Sequence, residues 1–408
     1  MRILHVTQGY TPAIGGTEWL IQRISEELVR QFDDEVTVFT THCYNGEAFF
    51  TPRLPRLATG WEMINGVRVL RFPVYSRISW LLRYPQSLAY HLDLPGNQYL
   101  RALAGGPVIS GLVKAINNHP ADLIVASSFP LLHMFAALKG AEASHRPCVF
   151  HGGLHPDDAW GFDRPMIYNA IQRAAAYIAN TDFEADYLVR RGIPAEKITP
   201  IGVGVDIEPF EKVPTAEAKT YFGINGKTLV GFVGQLGIHK GADTLVRAMP
   251  LVWQVYPDTH FLIAGGQTLF SDQLQRMVSR LPEDQQKKLI LKINFPNTEK
   301  PYYFSAVDVF VYPSGFESFG IAYLEAWACH KPVIGCRRGA VPWVITAGRD
   351  GLLVDYQNEY QLAEAILLLL SNRIWARSLG EAGYQKVIGR YNWPEIARRF
   401  RQVYLDVL

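Results

Sequence analysis

Short apolar runs rich in Val, Ile, Leu and Phe alternate along the chain with longer segments whose apolar residues recur every three or four positions. The first kind reads as a buried strand and the second as an amphipathic helix. Their alternation is the signature of parallel βαβ units. The pattern predicts strands at 3–7, 36–40, 67–72, 123–126, 148–151 and 177–180. A second series is predicted at 229–233, 260–264, 289–293, 309–312, 332–336 and 351–354. After the first strand comes a loop holding Gly15 and Gly16, then a helix from about Thr17 to Arg30. Thr17 is its candidate N-cap, and Leu20, Ile21, Ile24 and Leu28 form its apolar face. The stretch from Gly202 through Asp206 to Gly226 separates the two series and reads as a hinge. The expected fold class is α/β, with two Rossmann-like domains whose open parallel sheets face each other across a cleft. In such sheets ligands bind beyond the carboxyl ends of the strands.

Length supports this division, since 408 residues exceed one compact core. A formal charge of +2 argues against nucleic acid as a partner, which usually requires a strongly basic face. Cys43, Cys148, Cys329 and Cys336 form no C-x-x-C pair and read as buried thiols in a reducing compartment. The amino-terminal residues 1–7 read as a strand and not as a signal peptide. No apolar run approaches the ~20 residues that span a bilayer. The expected location is cytoplasmic, at most peripheral on the cytoplasmic face of a membrane.

The segment Pro313-Ser-Gly-Phe-Glu317-Ser-Phe-Gly320-Ile-Ala-Tyr-Leu-Glu325 follows a predicted strand and so lies at a sheet's carboxyl edge. A helix is expected from Ser318, with Glu317 and Glu325 two turns apart along one helical direction. Backbone N–H groups at a helix start suit a diphosphate, and the two carboxylates suit two polyols. A loop–helix junction with Glu317 placed for the helix dipole accounts for the same residues. His151 stands at a strand end before Gly152-Gly153, and His155 lies in the loop beyond. The run Gly231-x-x-Gly234-x-x-Gly237 lacks the dinucleotide G-x-G-x-x-G spacing. Asp157 and Asp158 are adjacent and read as solvated. No metal and no cofactor are expected.

These residues, taken in order, resemble the family 4 retaining glycosyltransferases of GT-B fold (glycosyl transferases group 1). Glu317 to Glu325 is similar to the family's E-x7-E motif. Gly15-Gly16 resembles its first glycine loop, Phe232 through Gly241 its phosphate loop, and Asn392-Trp393 the start of a helix that crosses back to the first domain. The resemblance implies an acceptor-side domain at 1–205, a nucleotide-sugar domain at 206–388 and the returning helix at 389–408. It implies a hexose donor that is a nucleotide diphosphate sugar, with UDP or GDP expected, and a glycan, lipid-linked or small acceptor. His151 would contact the transferred sugar, Glu317 its hydroxyls and Glu325 the ribose. Phe319, Gly320 and Ile321 would offer backbone N–H groups, Lys240 would neutralise the leaving diphosphate, and Asn294 and Phe295 would hold the base.

Two departures stand out. Gln235 occupies the place of the family's usual phosphate-loop arginine and carries neither charge nor fork. Arg337 or Arg338 would supply the missing charge, unless both face solvent. Trp343 stands where the family often has an acid. A nucleotide-sugar epimerase of the same architecture is the rival expectation. From Arg53 to Arg83 six arginines accompany one acid, Glu62, among Phe72, Tyr75, Trp80, Leu81, Leu82 and Tyr84. Residues 53–84 therefore read either as a peripheral membrane contact or as a solvated variable loop plus one strand.

Overall fold

A computed structural model describes residues 1–13 and 15–408 of the chain. They divide into two compact units, Met1–Val203 with Trp393–Leu408, and Gly204–Asn392.

The first unit is built on eight strands: β1 (Arg2–Val6), β2 (Glu35–Thr41), β3 (Gly60–Ile64), β4 (Val67–Phe72), β5 (Leu123–Ser127), β6 (Cys148–His151), β7 (Ala176–Ala179) and β8 (Ile198–Pro200). They lie in the order β3-β4-β2-β1-β5-β6-β7-β8. All neighbours are parallel except β3, which runs antiparallel to β4. Strands β5, β6 and β7 are buried along their whole length, as expected for parallel strands covered on both faces. The helix Trp393–Asp406 closes one face of this sheet. Ile396, Phe400 and Tyr404 are buried, and Arg399 donates 2.8 Å hydrogen bonds to the carbonyls of Ile201 and Pro200.

The second unit holds β9 (Leu229–Val233), β10 (His260–Gly265), β11 (Leu289–Ile293), β12 (Val309–Val311), β13 (Val333–Cys336) and β14 (Gly351–Val354), in the order β11-β10-β9-β12-β13-β14, all parallel. The chain sets out on one side of β9 and resumes on the other at β12. This is the strand order of a doubly wound sheet, and its topological switch point lies between β9 and β12.

Several expectations change. The stretch read as a hinge forms the helices Glu208–Glu211 and Thr215–Tyr221. They are tied into the second unit by Ser305 Oγ donating to the Val213 carbonyl at 2.6 Å and by the Lys219–Asp308 ion pair at 2.7 Å. The first helix starts at Gly16 with Gly15 as its cap, in place of Thr17. Asp158 accepts a 2.8 Å hydrogen bond from the Gly161 N–H and so caps a turn. Within 53–84, Ser76–His91 is a helix. Arg56 and Arg71 are taken up internally, Arg56 by Cys43 Sγ, Ser76 Oγ and the Ala48 carbonyl, Arg71 by Glu62 and the Tyr10 carbonyl. The basic stretch seen in the sequence is therefore partly a set of internal braces.

Candidate active site

Two loops meet at the switch point of the second unit. The first leaves β9 as Gly234–Gly237, turns through a short 3-10 helix at Ile238–Lys240, and enters the helix Ala242–Val255 at Gly241. Gly241 has φ +85°, and a side chain there would strike the Pro313 carbonyl, so glycine allows both the turn and the close approach. The second loop, 313–320, leaves β12. It is fastened to the first by the Gly315 N–H, which donates to the His239 carbonyl at 2.9 Å.

Lys240 joins the loops chemically. Its Nζ lies 2.6 Å from Glu317 Oε1 and 3.2 Å from the Phe316 carbonyl, with both side chains mostly buried. The helix after the loop is Ile321–Ala328, and Gly320, at φ +101°, caps it. Glu317 therefore does not share a helix with Glu325, because the left-handed residue at 320 delays the helix by three positions. Phe319 and Gly320 are buried, and the Phe319 ring meets Tyr391 edge-on at 5.3 Å. The helix opens at Ile321, where the first N–H groups have no partner within it. Glu325 is buried on that helix and paired with Lys300. Burial raises its pKa, and the Lys300 ammonium opposes the rise.

On the β11 side, Asn294 has φ +59°. Its N–H donates to the Gly265 carbonyl at 2.9 Å, while its Oδ1 accepts from the Gln267 N–H at 2.9 Å. Phe295 stacks on Tyr303 with centroids 4.1 Å apart. Gln235 is exposed on the loop that leaves β9. Arg337 pairs with Asp355 at 3.5 Å and donates to the Leu353 carbonyl. Arg338 instead lies 5.0 Å over the ring of Tyr356, a ring that would collide with any side chain at Gly315, and both arginines are exposed to solvent, as the alternative reading had it. Arg338 thus stands one side chain away from the Glu317 loop. Trp343 is half exposed in the short helix Val341–Val344. Nothing in its surroundings assigns it a part.

The first unit carries Gly15, Gly16 and His151. Gly15 is held against Glu18, whose carboxylate a Gly15 side chain would strike, and Glu18 accepts from Gln8 at 3.0 Å. Gly16 is open. Ile14, between this loop and β1, lies outside the described residues. His151 ends β6, two strands from β1. Its Nε2 lies 3.0 Å from Asn180 Oδ1, which assigns the proton to Nε2 and leaves Nδ1 as an unpartnered acceptor. His155 packs beside Phe162 instead.

Glu184 fixes this corner. Its Oε1 accepts from the Gly153 N–H at 3.1 Å, the Leu154 N–H at 3.0 Å and the Tyr177 hydroxyl at 2.5 Å. Its Oε2 accepts from the Asn180 N–H at 2.8 Å. One buried carboxylate therefore anchors both the loop after His151 and the residue that holds its ring. Burial still raises its pKa.

His5, His133 and His151 are all buried, which lowers their pKa values to about 3, 4 and 4 from an ordinary 6.5. Below pH 6.5 the unfolded chain takes up protons that the folded chain refuses until near pH 4. Stability is then lost as pH falls through that window. We expect the thermal midpoint to decline from pH 6.5 toward 4. A midpoint flat across that range would contradict neutral burial of these rings.

Among the described residues, no group of three or more His, Cys, Asp or Glu could hold a metal ion. Residues 15–204 match the family model described as glycosyl transferase 4-like domain, and residues 216–386 match that of glycosyl transferases group 1. The chain is 25% identical over 415 residues to a GDP-mannose-dependent alpha-(1-6)-phosphatidylinositol monomannoside mannosyltransferase of Mycolicibacterium smegmatis, covering 98% of this chain and 97% of that protein. It is 31% identical over 245 residues to a D-inositol 3-phosphate glycosyltransferase of Corynebacterium urealyticum, covering 57% of each. Among solved structures, Anabaena Alr3699/HepE in complex with UDP and glucose superposes with a TM-score of 0.74 at 19% identity, over 100% of both chains.

Proposed function

Because this chain belongs to the glycosyl transferases group 1 family and is a glycosyltransferase of GT-B fold, we propose that it moves a hexose, with retention of anomeric configuration, from a nucleotide diphosphate sugar to a glycan, lipid-linked or small acceptor. The observation that carries this reading is the Lys240–Glu317 pair at the β9–β12 switch point, beside a helix start whose first N–H groups no side chain caps. A diphosphate seated there gains those N–H groups and the ammonium. Lys240 then offsets the charge that develops on the departing phosphate oxygen. In this reading Glu317, held by Lys240, binds sugar hydroxyls, and Glu325, held by Lys300, binds the ribose diol. Asn294 and Phe295 present the base side, and His151 the acceptor-side contact to the sugar. Attack from the donor's own face, with its phosphate taking the acceptor proton, needs no free carboxylate nucleophile.

The M. smegmatis relative matched along almost the whole chain is a GDP-mannose-dependent phosphatidylinositol monomannoside mannosyltransferase. That supports testing GDP-sugars before UDP-sugars, and a lipid-linked acceptor held at a membrane surface. The experiment is incubation with GDP- and UDP-hexoses and a lipid-linked or glycan acceptor, with the product's anomeric proton read by NMR. A product of inverted configuration removes the retaining mechanism. Epimerised donor in the absence of acceptor favours the epimerase.

Arg338 is the residue we assign to the charge missing at Gln235, since Arg337 is engaged elsewhere. Arg338→Ala is expected to weaken donor binding about 10-fold, the worth of one charged hydrogen bond. Titration calorimetry with the nucleotide diphosphate checks this, and an unchanged Kd would leave Arg338 a solvent-facing cation with no part in donor binding.

A further inference from the structure

The helix Ser76–His91 is turned inside out. Toward the protein it presents Ser76, Ser79 and Ala89, each 6% exposed or less. Toward solvent it presents Trp80 at 56%, Leu81 at 64%, Tyr84 at 79% and Leu88 at 61%. Positions 81, 84 and 88 follow helical spacing and form one stripe, which Leu92 extends at 60% exposure. A surface helix ordinarily does the reverse, with its apolar stripe on the core. Single exposed apolar residues need no explanation, whereas a contiguous stripe of large ones marks a contact site.

We infer that this face lies on an anionic lipid bilayer, with the helix in the plane of the headgroups. Charge and side-chain type select that occupant. No carboxylate occurs from residue 63 to residue 92, while Arg77 and Arg83 sit on the same helix as the stripe. The Arg77 side chain makes no hydrogen bond or ion pair with the described residues, and Arg83 lies over the Tyr84 ring at 6.0 Å. Trp and Tyr, apolar in body with a polar tip, favour the bilayer interface, and arginines beside them draw in anionic headgroups. No helix among the described residues is long and apolar enough to cross a membrane, so the contact is one that lies on the surface. The inference deepens the acceptor half of the proposed function by naming the surface that would bring the chain to a lipid-linked acceptor. It also corrects the sequence-based span of 53–84, whose Arg56 and Arg71 are spent inside the fold.

Flotation of the full chain with phosphatidylcholine vesicles, with and without phosphatidylglycerol, tests it. The chain is expected to float with the anionic vesicles. The exposed-site variant Trp80→Ser/Leu81→Ser/Leu88→Ser is expected to lose at least about 100-fold in partition coefficient. Arg77→Ala/Arg83→Ala is expected to lose about 5-fold per arginine on anionic vesicles alone. All these side chains face solvent, so both variants should keep the wild-type thermal midpoint and the wild-type stabilisation by donor. No flotation, or flotation unchanged by the serine variant, overturns the inference. So does a lipid-free dimer that the serine variant disperses, because the stripe would then be an interface between copies. Donor stabilisation is measured on the same preparations. Its absence would remove the transferase reading and leave the lipid result standing.

Discussion

Lys240→Ala is expected to lower kcat for sugar transfer about a hundred- to a thousand-fold, the usual consequence of deleting one preorganised group aimed at developing charge. The ammonium is mostly buried and 2.6 Å from Glu317, so its loss acts twice. The departing diphosphate meets no cation, and Glu317 becomes a buried carboxylate without its partner. Lys240→Arg keeps the charge at a different reach and should retain part of the rate. Transfer kinetics at saturating donor, read beside calorimetric binding of the nucleotide diphosphate, separate the two effects. A fall in kcat much larger than the fall in binding is the expected split. A kcat within a few-fold of wild type would remove Lys240 from the chemistry.

The second large effect concerns stability. Glu184→Ala strands three backbone N–H groups and the Tyr177 hydroxyl, all served by that one carboxylate. Each abandoned buried donor costs about 1–3 kcal/mol, and with partial access of water we expect roughly 3–5 kcal/mol in total. The exposed Glu142–Arg173 pair supplies the contrast, since Glu142→Ala there should cost under about 1 kcal/mol. Denaturant unfolding of both variants checks the difference. A Glu184→Ala transition level with that of Glu142→Ala would mean that the Gly152–Leu154 loop is held by something else.

Where burial and sequence pattern coincide, the fold can be read directly from the chain. Residues 229–233 form an unbroken apolar run and are buried throughout, and the glycines that follow announce a tight loop at the sheet's edge. β3 has no such pattern, because all but one of its residues are exposed at the end of the sheet. β8 is three residues long. The helix Ser76–His91 escapes a periodicity reading for a different reason: its large apolar residues mark the wrong side.

The candidate site divides in the same way. Lys240, Glu317 and Glu325 stand in motifs, and the structure groups the first two directly. The change at Glu317, from a shared helix to a loop, rests on the positive φ of Gly320, which sequence spacing does not express. Glu184 does leave a trace, as the last residue of the capping-box pattern Thr181-Asp-Phe-Glu184. Thr181 caps the helix as that pattern implies, but the reach of Glu184 to the loop after His151 is tertiary. Lys300 leaves no trace at all. It is one lysine among ordinary surface charges, and only the packing of its helix brings it to Glu325.

The carboxyl edge of the second sheet is the proposed seat of a nucleotide diphosphate sugar. Its most direct test is a thermal-shift titration of wild type and Glu325→Ala with GDP- and UDP-sugars. At about 100 times its Kd a bound donor stabilises the protein by roughly 2.7 kcal/mol, enough to raise the midpoint visibly. A rise with one of the two nucleotides, abolished in Glu325→Ala, is the expected result. No rise with either nucleotide, or an equal rise in the variant, would contradict it.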